Sequence, residues 1–366
     1  MKVLYVQTKV NQVSGGLKCH EANLNILKRI VGIENVVEYT KERFPEKESC
    51  FKRNINRLMI GKYDNFTGKD LKIIHEIIEN RGIDVVFFDG SKMGLIAKNI
   101  KKRYPKIKIV TFFHNVEWVF ASNYIKKLCY YQKKLAQLDL RNIHIGESNT
   151  CIYSDVIICL NNRDGNLIKT MYKRNPDYVI PICVEDSFDS SFVTPHKHKI
   201  PVGLMVGSYF GPNLSGLEWF VQNVLPHVEM KYMVVGSGMD KVKKKYKDVE
   251  KMEIYGYVDD LRKMYADSDF MIMPIFEGSG MKVKTAEALS FGKYIFAAPE
   301  AVIGYNYSDN EIMVCHDASE FIKGINDYNI EKHTDGFYKS SRDLFLREYS
   351  YQSLERRYRS LLNSIY

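Results

Sequence analysis

Between Phe276 and Glu300 the chain reads FEGSGMKVKTAEALSFGKYIFAAPE. Glu277 closes an apolar run and is followed by Gly278, Ser279 and Gly280, then Met281, Lys282, Lys284 and Glu287. Gly292 precedes a second apolar run. The pattern predicts strand, glycine turn, helix (Lys282–Phe291), strand. The unpaired N–H groups that open a helix attract an anion, and glycines let it approach the backbone closely. Lys284 adds a positive charge one turn in, and Glu287, three residues on, shares its face. An oxyanion pocket flanked by a lysine and a carboxylate suits a nucleotide diphosphate, with the cation on the phosphates and the carboxylate on ribose hydroxyls. Glu277 is left to accept hydrogen bonds from a sugar. A helix cap with a surface ion pair has the same pattern, so the stretch needs its context.

That context is an alternation of short apolar runs with amphipathic stretches, which predicts βαβ units and parallel sheets. In the first half the strands are Lys2–Gln7, Asp84–Phe88, Ile107–Phe113, Val156–Leu160 and Tyr178–Ile180. Helices are expected near Gly16–Ile30, Gly68–Arg81, Lys92–Arg103 and Tyr124–Arg141. The periodicity breaks over 188–200 and then restarts. Strands follow at Val202–Val206, Lys231–Val235, Glu253–Tyr255, Phe270–Met273 and Tyr294–Ala298, with helices near Ser215–Leu225, Val258–Tyr265 and Ala318–Ile325. The expected organisation is an amino-terminal Rossmann-like domain (1–190), a linker (191–200), a carboxy-terminal Rossmann-like domain (201–345) and a terminal helix (346–366) that braces both. Two doubly wound α/β domains would put their strand ends, where such sheets bind ligands, on either side of a central cleft.

Composition narrows the partners. No apolar run in the 366 residues approaches the roughly 20 needed to span a bilayer, and a cytoplasmic address is expected. The seven cysteines are scattered and never spaced as CxxC, which predicts reduced thiols and no zinc site. Residues 1–194 hold 31 Lys+Arg against 21 Asp+Glu, whereas residues 195–366 hold 22 against 23, so the net charge of +9 is wholly amino-terminal. A basic half fits an anionic substrate, an anionic membrane surface or nucleic acid, and also a merely solvated face. Lys126, Lys127, Lys133 and Lys134, beside Leu128, Leu135 and Leu138, have the composition of an interfacial helix facing anionic headgroups. Arg53, Arg57 and Lys101 to Arg103 would extend the patch.

The segment EGSGMKVKTAEALSFGKYIFAA resembles the nucleotide-sugar signature of GT-B glycosyltransferases, in particular the family 4-like group (glycosyl transferases group 1). LMVGSYFGPNLSGLEWF, YMVVGSGM and IYGYVDDLRKMYADSDFMIMP upstream, and more weakly VTFFHNVEW, SDVIICLNNRD and VIPICVEDSF, extend the similarity over most of the chain. The resemblance implies a retaining, metal-independent transfer from an NDP-sugar to an acceptor hydroxyl, with no cofactor. It puts Glu277 on donor-sugar hydroxyls, Glu287 on the ribose and Lys284 on the diphosphate, assisted by amides at Ser279 to Met281 and by Lys282, with Gly278 and Ser208 also in the nucleotide-sugar site. Tyr257 and Val258 would meet the base. Ser14, Gly15 and Gly16 match the glycine turn of the first domain, and His114 matches a histidine near the donor sugar. Where many members carry a cation after the first strand of the second domain, this chain has Gly207-Ser208-Tyr209-Phe210, which leaves Lys284 and Lys282 as the phosphate cations.

With the basic half, this implies a glycan or lipid-linked acceptor, such as a capsule, lipopolysaccharide or exopolysaccharide intermediate at the inner leaflet, and no nucleic acid. An NDP-sugar epimerase or hydrolase of the same fold, and a catalytically silent basic partner subunit, stay open as alternatives. Asp267-Ser-Asp269 spells a metal-binding DxD but precedes a buried strand. Gly236-Ser-Gly238 and Gly292-Lys293 are incomplete phosphate motifs, and His196 with His198 lack a third ligand.

Overall fold

The computed structural model describes residues 1–9, 15–42, 66, 68–126, 128–193, 199–328 and 335–365. They form two compact units, Met1–Pro181 with Leu354–Tyr366, and Ile182–Ser353. The first boundary therefore falls before the expected residue 190, and most of the terminal helix groups with the first unit.

The first unit runs β1 (Val3–Lys9), α1 (Gly15–Val31), β2 (Val36–Glu42), α2 (Gly68–Arg81), β3 (Val85–Asp89), α3 (Gly94–Arg103) and β4 (Lys108–Phe113). It continues through α4 (Glu117–Lys126), α5 (Tyr130–Tyr153), β5 (Val156–Cys159), α6 (Asn162–Tyr172) and β6 (Tyr178–Val179). Its sheet is parallel throughout in the order β2-β1-β3-β4-β5-β6. Central strands are near-continuous apolar runs because helices cover both faces; β3 is buried at all five residues. Two elements here were not expected from sequence. β2 is an edge strand in which charged residues interrupt the apolar run, and α6 opens on polar residues, with Asn161 accepting the Asp164 amide. The single helix expected over Tyr124–Arg141 is instead two, α4 and α5. Glu147 of α5 accepts the Glu117 and Trp118 amides at 2.8 and 3.2 Å, tying the start of α4 to α5.

The second unit runs β7 (Val202–Val206), α7 (Gly211–Asn223), β8 (Lys231–Val235), β9 (Met252–Tyr255), α8 (Leu261–Ala266), β10 (Phe270–Met273) and α9 (Val283–Ser290). Then come β11 (Tyr294–Ala297), β12 (Ile312–Val314), α10 (Ala318–Asn326) and α11 (Lys339–Leu344). The parallel order is β12-β11-β10-β7-β8-β9, over a core that includes Leu217, Phe220, Tyr232, Phe270 and Phe321. β12, three residues long at the sheet edge, was also not expected. Asp269 of the DxD decoy is fully buried and accepts the Val202 amide at 2.7 Å, so it sets the register of β7 against β10. The last helix, α12 (Tyr351–Ile365), returns to the first unit and buries Leu354, Tyr358, Leu361 and Leu362.

Among the described residues all six cysteines are free thiols, and no helix is long and apolar enough to cross a membrane.

Candidate functional site

In each sheet the strand order reverses once, between β7 and β10 in the second unit and between β1 and β3 in the first. Chain connections leave those two points in opposite directions and open a crevice at the strand C-termini.

At the β7/β10 crevice, Glu277 and Gly278 are exposed at the turn after β10, and Gly280, at φ +61°, takes the left-handed conformation that favours glycine. α9 then starts without a side-chain cap. At its far end Gly292 adopts φ +63° and Lys293 donates its amide to the Ala288 carbonyl, a Schellman closure. Lys284 leans across to β7: its Nζ lies 3.5 Å from Asn213 Oδ1, and Asn213 donates to the Ser208 carbonyl at 2.9 Å. A β-carbon placed on Gly207 would sit 3.3 Å from that ammonium. Lys284, in the first turn of α9, thus lies beside Gly207 in the segment after β7, where this chain carries no cation of its own.

Lys282 is placed differently. Its ammonium pairs with Glu300 at 2.9 Å and donates to the Gly280 carbonyl at 3.1 Å, closing the glycine turn over Gly278. Tyr305 completes the support, donating its hydroxyl to the Lys282 carbonyl and accepting the Ala286 amide. Met281 is buried, Ser279 partly so, and Glu287 is half-buried one turn beyond Lys284. The strand ends close in from the other side. A β-carbon on Gly236, whose φ is +154°, would lie 2.0 Å from the Gly207 carbonyl oxygen, and the Gly236 amide donates to the Gly256 carbonyl. Tyr257 follows, 73% exposed, with Val258 beside it.

At the β1/β3 crevice, Gly15 and Gly16 open α1; Ser14 lies outside the described residues. The centre of this crevice is Asp89, at the end of β3 and 1% exposed. It accepts from His114 Nε2 at 2.7 Å, His20 Nδ1 at 2.5 Å, Asn23 Nδ2 at 3.0 Å and the Tyr5 hydroxyl. Burial alone would raise its carboxyl, but the two imidazoles outweigh that and hold it far below the usual range. Burial lowers His114, against the pull of Asp89. The sequence singled out His114, as a match to a histidine near the donor sugar, but not His20, Asn23 or Asp89. The cue was present in an acidic residue ending an apolar strand followed by glycine, VVFFDG.

The lysine patch divides. Lys126 and Lys134 are exposed, Lys134 lying 5.0 Å from the Tyr130 ring centre, and Lys133 is half-buried; Phe120, Tyr124 and Tyr130 expose their rings nearby. Lys127, Arg53, Arg57, His196 and His198 lie outside the described residues.

Residues 200–328 match the family described as glycosyl transferases group 1. No curated protein matches the chain. Solved structures with similar folds include a glycosyltransferase from Rickettsia africae, 17% identical with a TM-score of 0.67, covering 100% of this chain and 98% of that one. The lipopolysaccharide outer core galactosyltransferase WaaB, in its apo form, is 14% identical with a TM-score of 0.66, covering 100% and 99%. HepE of Anabaena in complex with UDP is 11% identical with a TM-score of 0.66, covering all of both chains.

Proposed function

We propose that this chain, a GT-B protein whose segment 200–328 belongs to the glycosyl transferases group 1, moves a sugar from an NDP-sugar to an acceptor hydroxyl with retention at the anomeric carbon. The observation that carries this is the position of Lys284, whose ammonium lies against the Gly207–Ser208 backbone at the β7/β10 reversal, beside the uncapped start of α9. In this reading the α9 amides and Lys284 hold the diphosphate and stabilise its growing charge as the sugar–phosphate bond breaks. Glu287 takes the ribose, Glu277 the sugar hydroxyls, and the Tyr257–Val258 turn the base. Gly15, Gly16 and His114 serve the amino-terminal side of the reaction. Lys282, paired with Glu300, acts by shaping the turn. No resident metal is needed, because the protein itself supplies the positive charge, and activity is expected to survive EDTA.

UDP is the first nucleotide to test, since HepE structures hold UDP and UDP-glucose. At about 100 times its Kd, a ligand that binds only the folded state adds about 2.7 kcal/mol of stability, a shift of several degrees in Tm. A panel of UDP, GDP, ADP, CDP and TDP that leaves the wild-type Tm unmoved would end the proposal.

The acceptor, we infer, is lipid-linked, in keeping with the basic first half and with exposed Phe120, Tyr124 and Tyr130 beside Lys126 and Lys134. A glycan intermediate of a surface polysaccharide at the inner leaflet fits, as does the likeness to WaaB. Charge reversal at Lys126, Lys127, Lys133 and Lys134 is expected to release the protein from anionic vesicles; unchanged co-sedimentation would remove the membrane part alone.

A further inference from the structure

Asp89 is a buried carboxylate with more donors than one hydrogen-bonded histidine would need. An ionised carboxylate only accepts, so the nitrogen that each imidazole turns toward it must carry hydrogen. His20 therefore presents Nδ1–H and His114 presents Nε2–H, each to a different oxygen of Asp89. In their neutral forms the lone pair then sits on Nε2 of His20 and on Nδ1 of His114. The two rings lie 4.3 Å apart, with side chains 12% and 14% exposed.

The surroundings hold this arrangement. The Tyr5 hydroxyl of β1 donates to Asp89 and also lies within hydrogen-bonding distance of the His20 carbonyl. Asn23 of α1 donates to Asp89 and in turn accepts the hydroxyl of Tyr358 from α12. Among the described residues, the titratable groups that face the cluster include Tyr5, Cys19 and Tyr358, with Glu117 acting on His114. The three ligand atoms of His20, Asp89 and His114 lie within 4.8 Å of one another, which is also the composition of a metal site. Metal ligation, however, needs each nitrogen to offer a lone pair, whereas here each is at hydrogen-bonding distance from a carboxylate oxygen.

We propose that Asp89 is a positioning residue: it holds His20 and His114 as one unit that binds a single proton, and it fixes Nδ1 of His114 as the lone-pair nitrogen for a substrate hydroxyl. One imidazolium balances the buried carboxylate. A second, 4.3 Å away in the same low-dielectric setting, is opposed by the first. The hydroxyl's identity rests on the transferase reading above; the tautomers and the proton count do not.

The test is nitrogen-15 correlation NMR of histidine side chains in the full chain, with His20→Gln and His114→Gln to assign the signals. Neutral His114 should be the Nε2–H tautomer and neutral His20 the Nδ1–H tautomer. Between about pH 5 and 8, where histidines ordinarily titrate, the pair should take up one proton. Asp89→Asn, which offers one acceptor in place of two, should keep the nucleotide-induced Tm shift and the donor KM while kcat falls at least ~100-fold, as when a histidine's tautomer is released. Opposite tautomers, two independent protonations, zinc retained one-to-one through dialysis, or wild-type kcat in a folded Asp89→Asn would each overturn the proposal. Should Asp89→Asn fail to fold, the wild-type tautomers decide. A wild-type protein without any nucleotide-induced shift counts against the transferase reading and leaves the tautomer result standing.

Discussion

Two lysines two positions apart in sequence have different surroundings, and the difference can be measured. Lys284 reaches the β7 turn, while Lys282 is paired with Glu300 in the segment after β11. A charge-assisted hydrogen bond is worth about 1.5–3 kcal/mol, so Lys284→Ala should weaken nucleotide binding roughly 10- to 150-fold in isothermal titration. Lys282→Ala and Glu300→Gln should each weaken it only a few-fold, and the double variant should be no worse than either single one, because both break the same contact. Glu277→Ala should keep nucleotide affinity and lose transfer. Equal losses at Lys282 and Lys284 would mean that the ion pair opens and both cations meet phosphate.

At the scale of elements, Glu147 decides where α4 lies. It is fully buried on α5 and accepts from Ser91 after β3, from the first amides of α4, and from Tyr172 at the end of α6. Burial pushes its carboxyl up to about 7. A raised folded-state pKa means that the folded protein holds the proton more tightly than the unfolded chain, whose value is near 4.3. The associated stability is present at low pH and is lost as pH rises toward 7. Measured by urea denaturation, the wild type should therefore lose stability relative to Glu147→Gln on going from about pH 5 to pH 8, by a few kcal/mol. A difference independent of pH would show that the group keeps one charge state throughout. Gly236 is the corresponding joint in the second unit: Gly236→Ala would drive a β-carbon into the Gly207 carbonyl at a φ of +154°, and should abolish the nucleotide-induced Tm shift.

For the whole molecule, the consequential feature is that most of the chain's last helix belongs to its first unit. Tyr358 stacks edge-on against Phe87 of β3 and donates to Asn23, so a residue near the carboxy terminus supports the Asp89 cluster. Deleting 354–366 removes four buried side chains, Leu354, Tyr358, Leu361 and Leu362. Each large-to-small loss of this kind costs about 2–5 kcal/mol, and a domain's whole stability is about 5–15 kcal/mol. The truncated chain should show cooperative loss of the amino-terminal unit by hydrogen exchange. Tyr358→Phe, which removes only the hydroxyl, should cost about 1 kcal/mol.

Much of this was written locally. The strands β1, β3, β7 and β10 announce themselves as apolar runs, and the glycine turn before α9, its lysine and its Gly292 terminus are contiguous, so their chemistry is readable from one segment. β2 and β12 were not readable because charged residues interrupt β2 and β12 is only three residues long. The start of α4 was not readable because Glu147, which accepts its first amides, lies some thirty residues downstream. The Asp89 cluster draws on β1, α1, β3, the turn after β4 and, through Tyr358, α12. Apart from His20 and Asn23, three apart on one helix, nothing in the spacing of Tyr5, His20, Asn23, Asp89 and His114 marks them as neighbours. The sequence by itself determined where the central strands lie and which glycine turn opens a helix without a side-chain cap, since both follow from local periodicity and backbone chemistry. Only the tertiary structure decided which lysine faces the β7 turn and which histidines share a carboxylate, because those depend on strand order, which brings distant residues to one crevice.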